Sequence, residues 1–196
     1  MVNATTTLIS LVIVSSWSFA ACPVAPANVP SEDTKKLAIG KLSEFLACSE
    51  DDPINDQSPC NTFASKGLEA IYGVTDFKGT SNTHLSANQI YDKVAAAGNW
   101  KLIGSVLNDN NALCAQAAAN SALPVIAVMK GTRHGHIALV IPGEPSKAPS
   151  WGNKLAPNSA SFFYEKPKNT YVNGPLSKAY GPANAASASY YYRLGH

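Results

Sequence analysis

Leu123-Pro124-Val125-Ile126-Ala127-Val128-Met129 runs into Lys130-Gly131-Thr132-Arg133, and then into His134-Gly135-His136-Ile137-Ala138-Leu139-Val140-Ile141. The first segment is short, apolar and β-branched, the pattern of a buried strand. The second has the same character from His136 onward. The residues between them are polar and include glycine, so the chain turns back and the two segments pair as a hairpin. His136 therefore stands at the buried start of a strand. His134, two residues earlier, faces the same side and belongs at the rim.

Upstream of the hairpin the periodicity is helical. Ser31-Glu32-Asp33 is a cap pattern for a helix running to about Cys48, with Leu37, Ile39, Leu42, Phe45 and Leu46 inward. Ser49 to Pro59 is a polar loop. Ser58-Pro59 then caps and opens a second helix. Phe63, Ala64, Gly67, Leu68 and Ile71 give it one buried stripe, and Gly73 is its stop. A third helix starts at Ser86-Ala87-Asn88-Gln89, a capping-box pattern, and stops at Gly98. Trp100 to Val106 reads as a short strand, and Asn108 to Asn120 as a short helix containing Cys114.

Downstream, Pro142 to Pro157 reads as a long loop, Ser159 to Glu165 as a strand, Lys166 to Pro182 as irregular chain, and Ser187 to Arg193 as a closing strand. Helices followed by antiparallel strands is an α+β layout. No internal repeat or second domain is visible, so residues 21–196 are expected to form one domain.

The second helix opens on Pro59-Cys60-Asn61-Thr62-Phe63-Ala64. A cysteine there has unpaired N–H groups and a partial positive charge beside it, which favours the thiolate. The thiolate is the nucleophile, and an ordinary thiol with pKa ~8.5 is mostly protonated at neutral pH. A histidine nearby takes the proton. His136 fits that role better than His134, because the apolar run anchors it. The bland alternatives are a structural Cys60 and a surface turn histidine.

Cys60-Asn61-x-Phe63 at a helix start, with Gly135-His136-Ile137-Ala138-Leu139-Val140 at a strand start, resembles the CHAP-type amidohydrolases and the related NlpC-type peptidoglycan peptidases. The resemblance covers roughly Ile54 to Tyr164. It implies a papain-like fold: N-terminal helices, with the nucleophilic cysteine at a helix start, packed on an antiparallel sheet that carries the histidine. It implies an amidase or endopeptidase cutting peptide stems of bacterial peptidoglycan, with Cys60 attacking and His136 as base. The third residue comes from the strand after the histidine strand. Asn153, Asn158, Ser159, Ser161 and Glu165 are the polar residues there, and Asn158 is the choice. Gln57, with Asn55 or Asp56 as alternatives, would support the oxyanion beside the backbone N–H of Cys60. His134 and Trp151 would touch substrate. The tyrosines at 190–192 read as sheet residues packing on a core.

The formal net charge is +2 and only 14% of residues are charged. No basic run exists, which argues against nucleic acid as a partner. No Cys-x-x-Cys or His-Glu-x-x-His pattern exists, and Glu50-Asp51-Asp52 lacks the glycine-centred spacing of a calcium loop. No metal or cofactor is therefore expected, and the domain is expected to act as a monomer. Leu8 to Val14 followed by Ser18-Phe19-Ala20 reads as a secretory signal over residues 1–20, although no Lys or Arg precedes it. The apolar run is too short to span a bilayer. Export places the chain outside the cell or in a periplasm, where disulfides persist. Phe19-Ala20-Ala21-Cys22 loosely matches a lipoprotein cleavage box, which would put a lipid on Cys22. If Cys60 stays free, Cys48 with Cys114 or Cys22 with Cys48 are the possible disulfides. If all four cysteines pair, the chain is a disulfide-stabilised secreted binding protein on the same scaffold. A cysteine acyltransferase uses the same Cys–His pair.

Overall fold

A computed structural model describes residues 22–23, 32–46, 59–80, 83–163 and 167–195. The proposed signal segment 1–20, Gln57 and Cys48 lie outside the described residues. Three helices come first: α1 (Glu32–Glu44), α2 (Pro59–Tyr72) and α3 (Ala87–Ala96). Strand β1 (Trp100–Ser105) and helix α4 (Asp109–Asn120) follow. The remaining strands are β2 (Val125–Met129), β3 (His136–Val140), β4 (Ser146–Ala148), β5 (Lys154–Ala156), β6 (Asn158–Ser161), β7 (Tyr171–Pro175) and β8 (Ser189–Arg193).

Most local signals act as expected, although Leu37, expected on the inner side of α1, is 55% exposed. Glu32 and Asp33 sit in the first turn of α1, where negative charge opposes the helix dipole favourably. Gly73 ends α2 at φ +67°, a conformation glycine adopts without a steric penalty, and its N–H reaches Glu69 O. The Ser86 side chain accepts from Gln89 N while the Gln89 side chain accepts from Ser86 N, a complete capping box on α3. Asn108, read from the sequence as part of the helix, instead caps α4 by accepting from Asn111 N.

Six strands form one antiparallel sheet in the order β1-β8-β2-β3-β6-β7. The hairpin of β2 and β3 pairs Met129 with His136 and Val125 with Val140. The closing strand β8 is not an edge strand. It inserts between β1 and β2, so the last residues of the chain complete the middle of the sheet.

Both faces of the sheet are covered, which explains the unbroken apolar runs of β2 and β3. One face presents Ile126, Val128, Ile137, Leu139, Ala160 and Phe162 to Leu42 of α1, Phe63, Ala64 and Leu68 of α2, and Ile90 and Val94 of α3. The other presents Val125, Ala127, Ala138, Val140 and Tyr190 to the alanines of α4, with Trp151 and Tyr180. Gly67 is what lets α2 sit so close. A Cβ there would lie 2.8 Å from Leu139 Cδ1 and 2.5 Å from a Leu42 methyl.

A polar clasp holds the end of β8. Asp76 accepts hydrogen bonds from Arg193 Nε at 2.7 Å and Trp100 Nε1 at 2.8 Å. Burial works to raise the Asp76 carboxyl. The hydrogen bonds and the charges of Arg193 and Lys93 outweigh it and hold the group below its usual range. A second network anchors α4 to the strands. Gln116 donates to Ile141 O at 3.0 Å and accepts from Asn158 N at 2.7 Å. Asn120 accepts from Gly143 N at 2.9 Å.

Several expectations need correction. The stretch Pro142 to Pro157 is not a plain loop. It holds the two-stranded β4–β5 unit and a 3-10 turn at Pro149–Trp151. The irregular stretch from Lys166 contains β7, an edge strand read as loop because its segment carries glycine and proline. The disulfide joins Cys22 to Cys114, with Cα atoms 5.4 Å apart. Neither expected pairing involved those two residues together. Cys22 Sγ is consumed by this bond, so it cannot also carry a thioether-linked lipid. Among the described residues no helix is long and apolar enough to cross a membrane.

Candidate active site

His136 is the first residue of β3. Side chains alternate along a strand, so its imidazole shares a face with Ala138 and Val140, the face covered by α4 and Tyr180. Three groups enclose the half-buried ring. Its Nε2 lies 2.9 Å from Ser161 Oγ on the neighbouring strand β6. The Phe163 ring stacks on it with centroids 4.9 Å apart and an interplanar angle of 23°. The Tyr180 ring meets it edge-on at 5.2 Å and 79°.

The backbone around it is also tied down. Tyr180 Oη lies 2.7 Å from Ala127 O and 3.2 Å from His136 O. Trp151 Nε1 donates to Tyr180 O at 2.9 Å. Burial removes water from the imidazole and penalises its charged form, which pushes its pKa down to about 4. At neutral pH the ring is an uncharged base held at a fixed angle.

Cys60 is the second residue of α2. Only the backbone is described for Pro59, Cys60 and Asn61. The helix direction is set further along: Gly67 abuts Leu139, and the Phe63 ring stacks on Phe162 with centroids 6.2 Å apart. Leu139 pairs with Ala160, and Phe162 lies two residues on, toward the end where β3 begins. Followed toward its N-terminus, α2 therefore runs toward the end of the sheet that carries His136. It does so on the opposite face, the one lined by Ile137 and Leu139. The helix that carries Cys60 and the imidazole of His136 thus share an end of the sheet and not a face.

The other expected site residues fall in different places. Asn158 is buried, and its side chain donates to Pro142 O at 2.9 Å. Its carbonyl pairs with Ile141 N, five residues along β3 from His136 and roughly 16 Å away at ~3.3 Å rise per residue. It braces the turn after β3 and does not orient the imidazole. Ser161, one of the polar residues noted on the following strand, does. Trp151 is 6% exposed and packs in the core, so it lines no open groove. His134 is exposed, ahead of the strand. Tyr190 and Tyr191 are buried on the two faces, as expected for sheet residues.

Phe163 and Tyr180 were missed as neighbours of His136. Phe163 is separated by a strand crossing, and Tyr180 by forty-four residues. Neither stands in a recognisable motif, and nothing in the local pattern of Leu176 to Tyr180 signals the contact. Among the described residues no three His, Cys, Asp or Glu side chains cluster as a metal site would require. No protein-family model matches this chain, and no curated protein is significantly similar to it.

Proposed function

We propose that this chain is an exported cysteine hydrolase that cuts amide bonds in the peptide stems of bacterial peptidoglycan, with Cys60 as nucleophile and His136 as base. What supports the reading is that α2, which opens with Cys60, runs toward the end of the sheet where His136 is held as a neutral base against Ser161; the imidazole itself lies on the face opposite α2. In this reading His136, uncharged at rest, takes the Cys60 thiol proton as the sulfur attacks the amide carbonyl. The histidine then protonates the leaving amine, and water hydrolyses the thioester. The first-turn N–H groups of α2 supply oxyanion donors. The disulfide supports an oxidising compartment. The geometry adds one demand: sulfur and imidazole would have to meet around the end of β3, because α2 and the ring occupy different faces.

The test is digestion of purified peptidoglycan followed by mass spectrometry of the released muropeptides. The wild-type chain should release fragments, and Cys60→Ala should release none while keeping its melting temperature. Equal release by the variant sinks the assignment.

A second reading is favoured by the same enclosure. Ser161, Phe163 and Tyr180 satisfy His136 on the face away from α2, as they would a structural histidine in a non-catalytic secreted binding protein. Thiol titration separates the two. With Cys22 and Cys114 paired, a thiol at Cys60 that alkylates rapidly at neutral pH supports the enzyme. A second disulfide consuming Cys48 and Cys60 supports the binding protein.

A further inference from the structure

Tyr180 touches both the ring and the backbone of His136. It lies after β7 and is fully buried. Its hydroxyl sits between Ala127 O on β2 and His136 O on β3, at 2.7 and 3.2 Å. One proton can serve only one of these at a time, so the hydroxyl bridges the two strands of the hairpin near the start of β3. The edge of its ring fixes the imidazole plane. Its carbonyl accepts from Trp151, at the 3-10 turn that links β4 to β5. Leu155 N, on β5, is in turn held by Asp109 Oδ1 at 2.9 Å. A continuous chain of contacts therefore runs from the β4–β5 unit through Trp151 and Tyr180 to the histidine.

We propose that Tyr180 is a positioning residue for His136, a strut that sets the imidazole plane, excludes water from it, and transmits the placement of the β4–β5 unit to it. The proposal rests on the reading of His136 as the working base, but its principal test does not. Fold alone would require a large residue at position 180. It would not require a hydroxyl set against the carbonyl of the histidine itself.

The experiment uses the full disulfide-bonded chain with histidine side chains isotopically labelled, and follows the His136 ring signals by NMR across pH. Tyr180→Phe keeps the ring and removes the hydroxyl. Trp151→Phe keeps an aromatic core residue and removes the donor to Tyr180 O. Both variants should remain folded, with the titration of His136 moved up toward the ordinary value of ~6.5 as water gains access. Tyr180→Leu, which also removes the ring edge, should move it further. Where peptidoglycan release is measurable, Tyr180→Phe should lower kcat on the order of tenfold with KM little changed, and the acid limb of the pH profile should follow the shifted titration. A His136 titration identical in wild type and both phenylalanine variants, with only a lowered melting temperature, would overturn the proposal. Loss of the hydrolase reading would show separately, as release of fragments that survives Cys60→Ala.

Discussion

His136 Nε2 and Ser161 Oγ stand 2.9 Å apart across the β3–β6 pair, with the serine fully buried. A buried serine hydroxyl has no access to a substrate, so its role is to hold the ring. Which atom donates depends on the imidazole tautomer, and one ring nitrogen is committed to Ser161 in either case. The other nitrogen is the one left to take a proton.

Ser161→Ala removes that tie and leaves one imidazole nitrogen without its partner. The loss should cost about 1 kcal/mol of stability, read as a lower urea midpoint with an unchanged slope. In the hydrolase reading it should also lower kcat/KM by roughly tenfold or more, because the tautomer is no longer selected. Ser161→Thr, which keeps the hydroxyl, should recover most of the rate. Equal rates for the alanine variant and wild type would show that the contact orients nothing.

The pH dependence of stability follows from two groups with defined signs. His136 titrates at about 4 in the folded chain and near ~6.5 unfolded. Between those values the unfolded chain binds the extra proton, so stability should fall steadily as pH drops from 6.5 toward 4. Asp76 is held below its usual range by Arg193 and Trp100, against the effect of burial. It adds stability above the unfolded carboxyl pKa of ~3.9 that is lost as pH falls through its folded value. Urea midpoints at pH 7.0, 5.5 and 4.5 should therefore decrease in order, and His136→Gln should flatten that part of the curve. A flat wild-type profile over this range would contradict the burial of the imidazole.

The Cys22–Cys114 disulfide closes a loop with a sequence separation of 92 residues. Cross-linking a chain over that distance restricts the unfolded state by up to about 4.5 kcal/mol in the chain-entropy account. Reduction, or Cys22→Ser combined with Cys114→Ala, should lower the melting temperature by several degrees or more in calorimetry. The double variant should be indifferent to reductant. A reductant-sensitive double variant would show that another disulfide carries the stability.

The elements were legible where the signal is local. Capping at Ser86, the glycine stop at Gly73 and the turn before β3 are all decided within one or two turns of chain, where side-chain hydrogen bonds and backbone sterics act. The hairpin was legible because two short apolar runs flank a glycine-containing turn. β7 was not, because Gly174 and Pro175 depress strand propensity and only pairing with β6 makes it a strand.

By itself the sequence determined the α+β order of elements, the helical start at Cys60 and the strand start at His136. It also marked Ser161 among the polar candidates on the following strand. Only the tertiary structure decided that β8 fills the middle of the sheet, that Cys22 pairs with Cys114, and that Asn158 and Trp151 are core residues. It alone set the His136 ring against Ser161, Phe163 and Tyr180, on the face opposite α2. The physical reason is range: helix caps, turns and apolar periods are fixed by neighbours a few residues apart, whereas the face a ring occupies depends on which strands pair, and in which register.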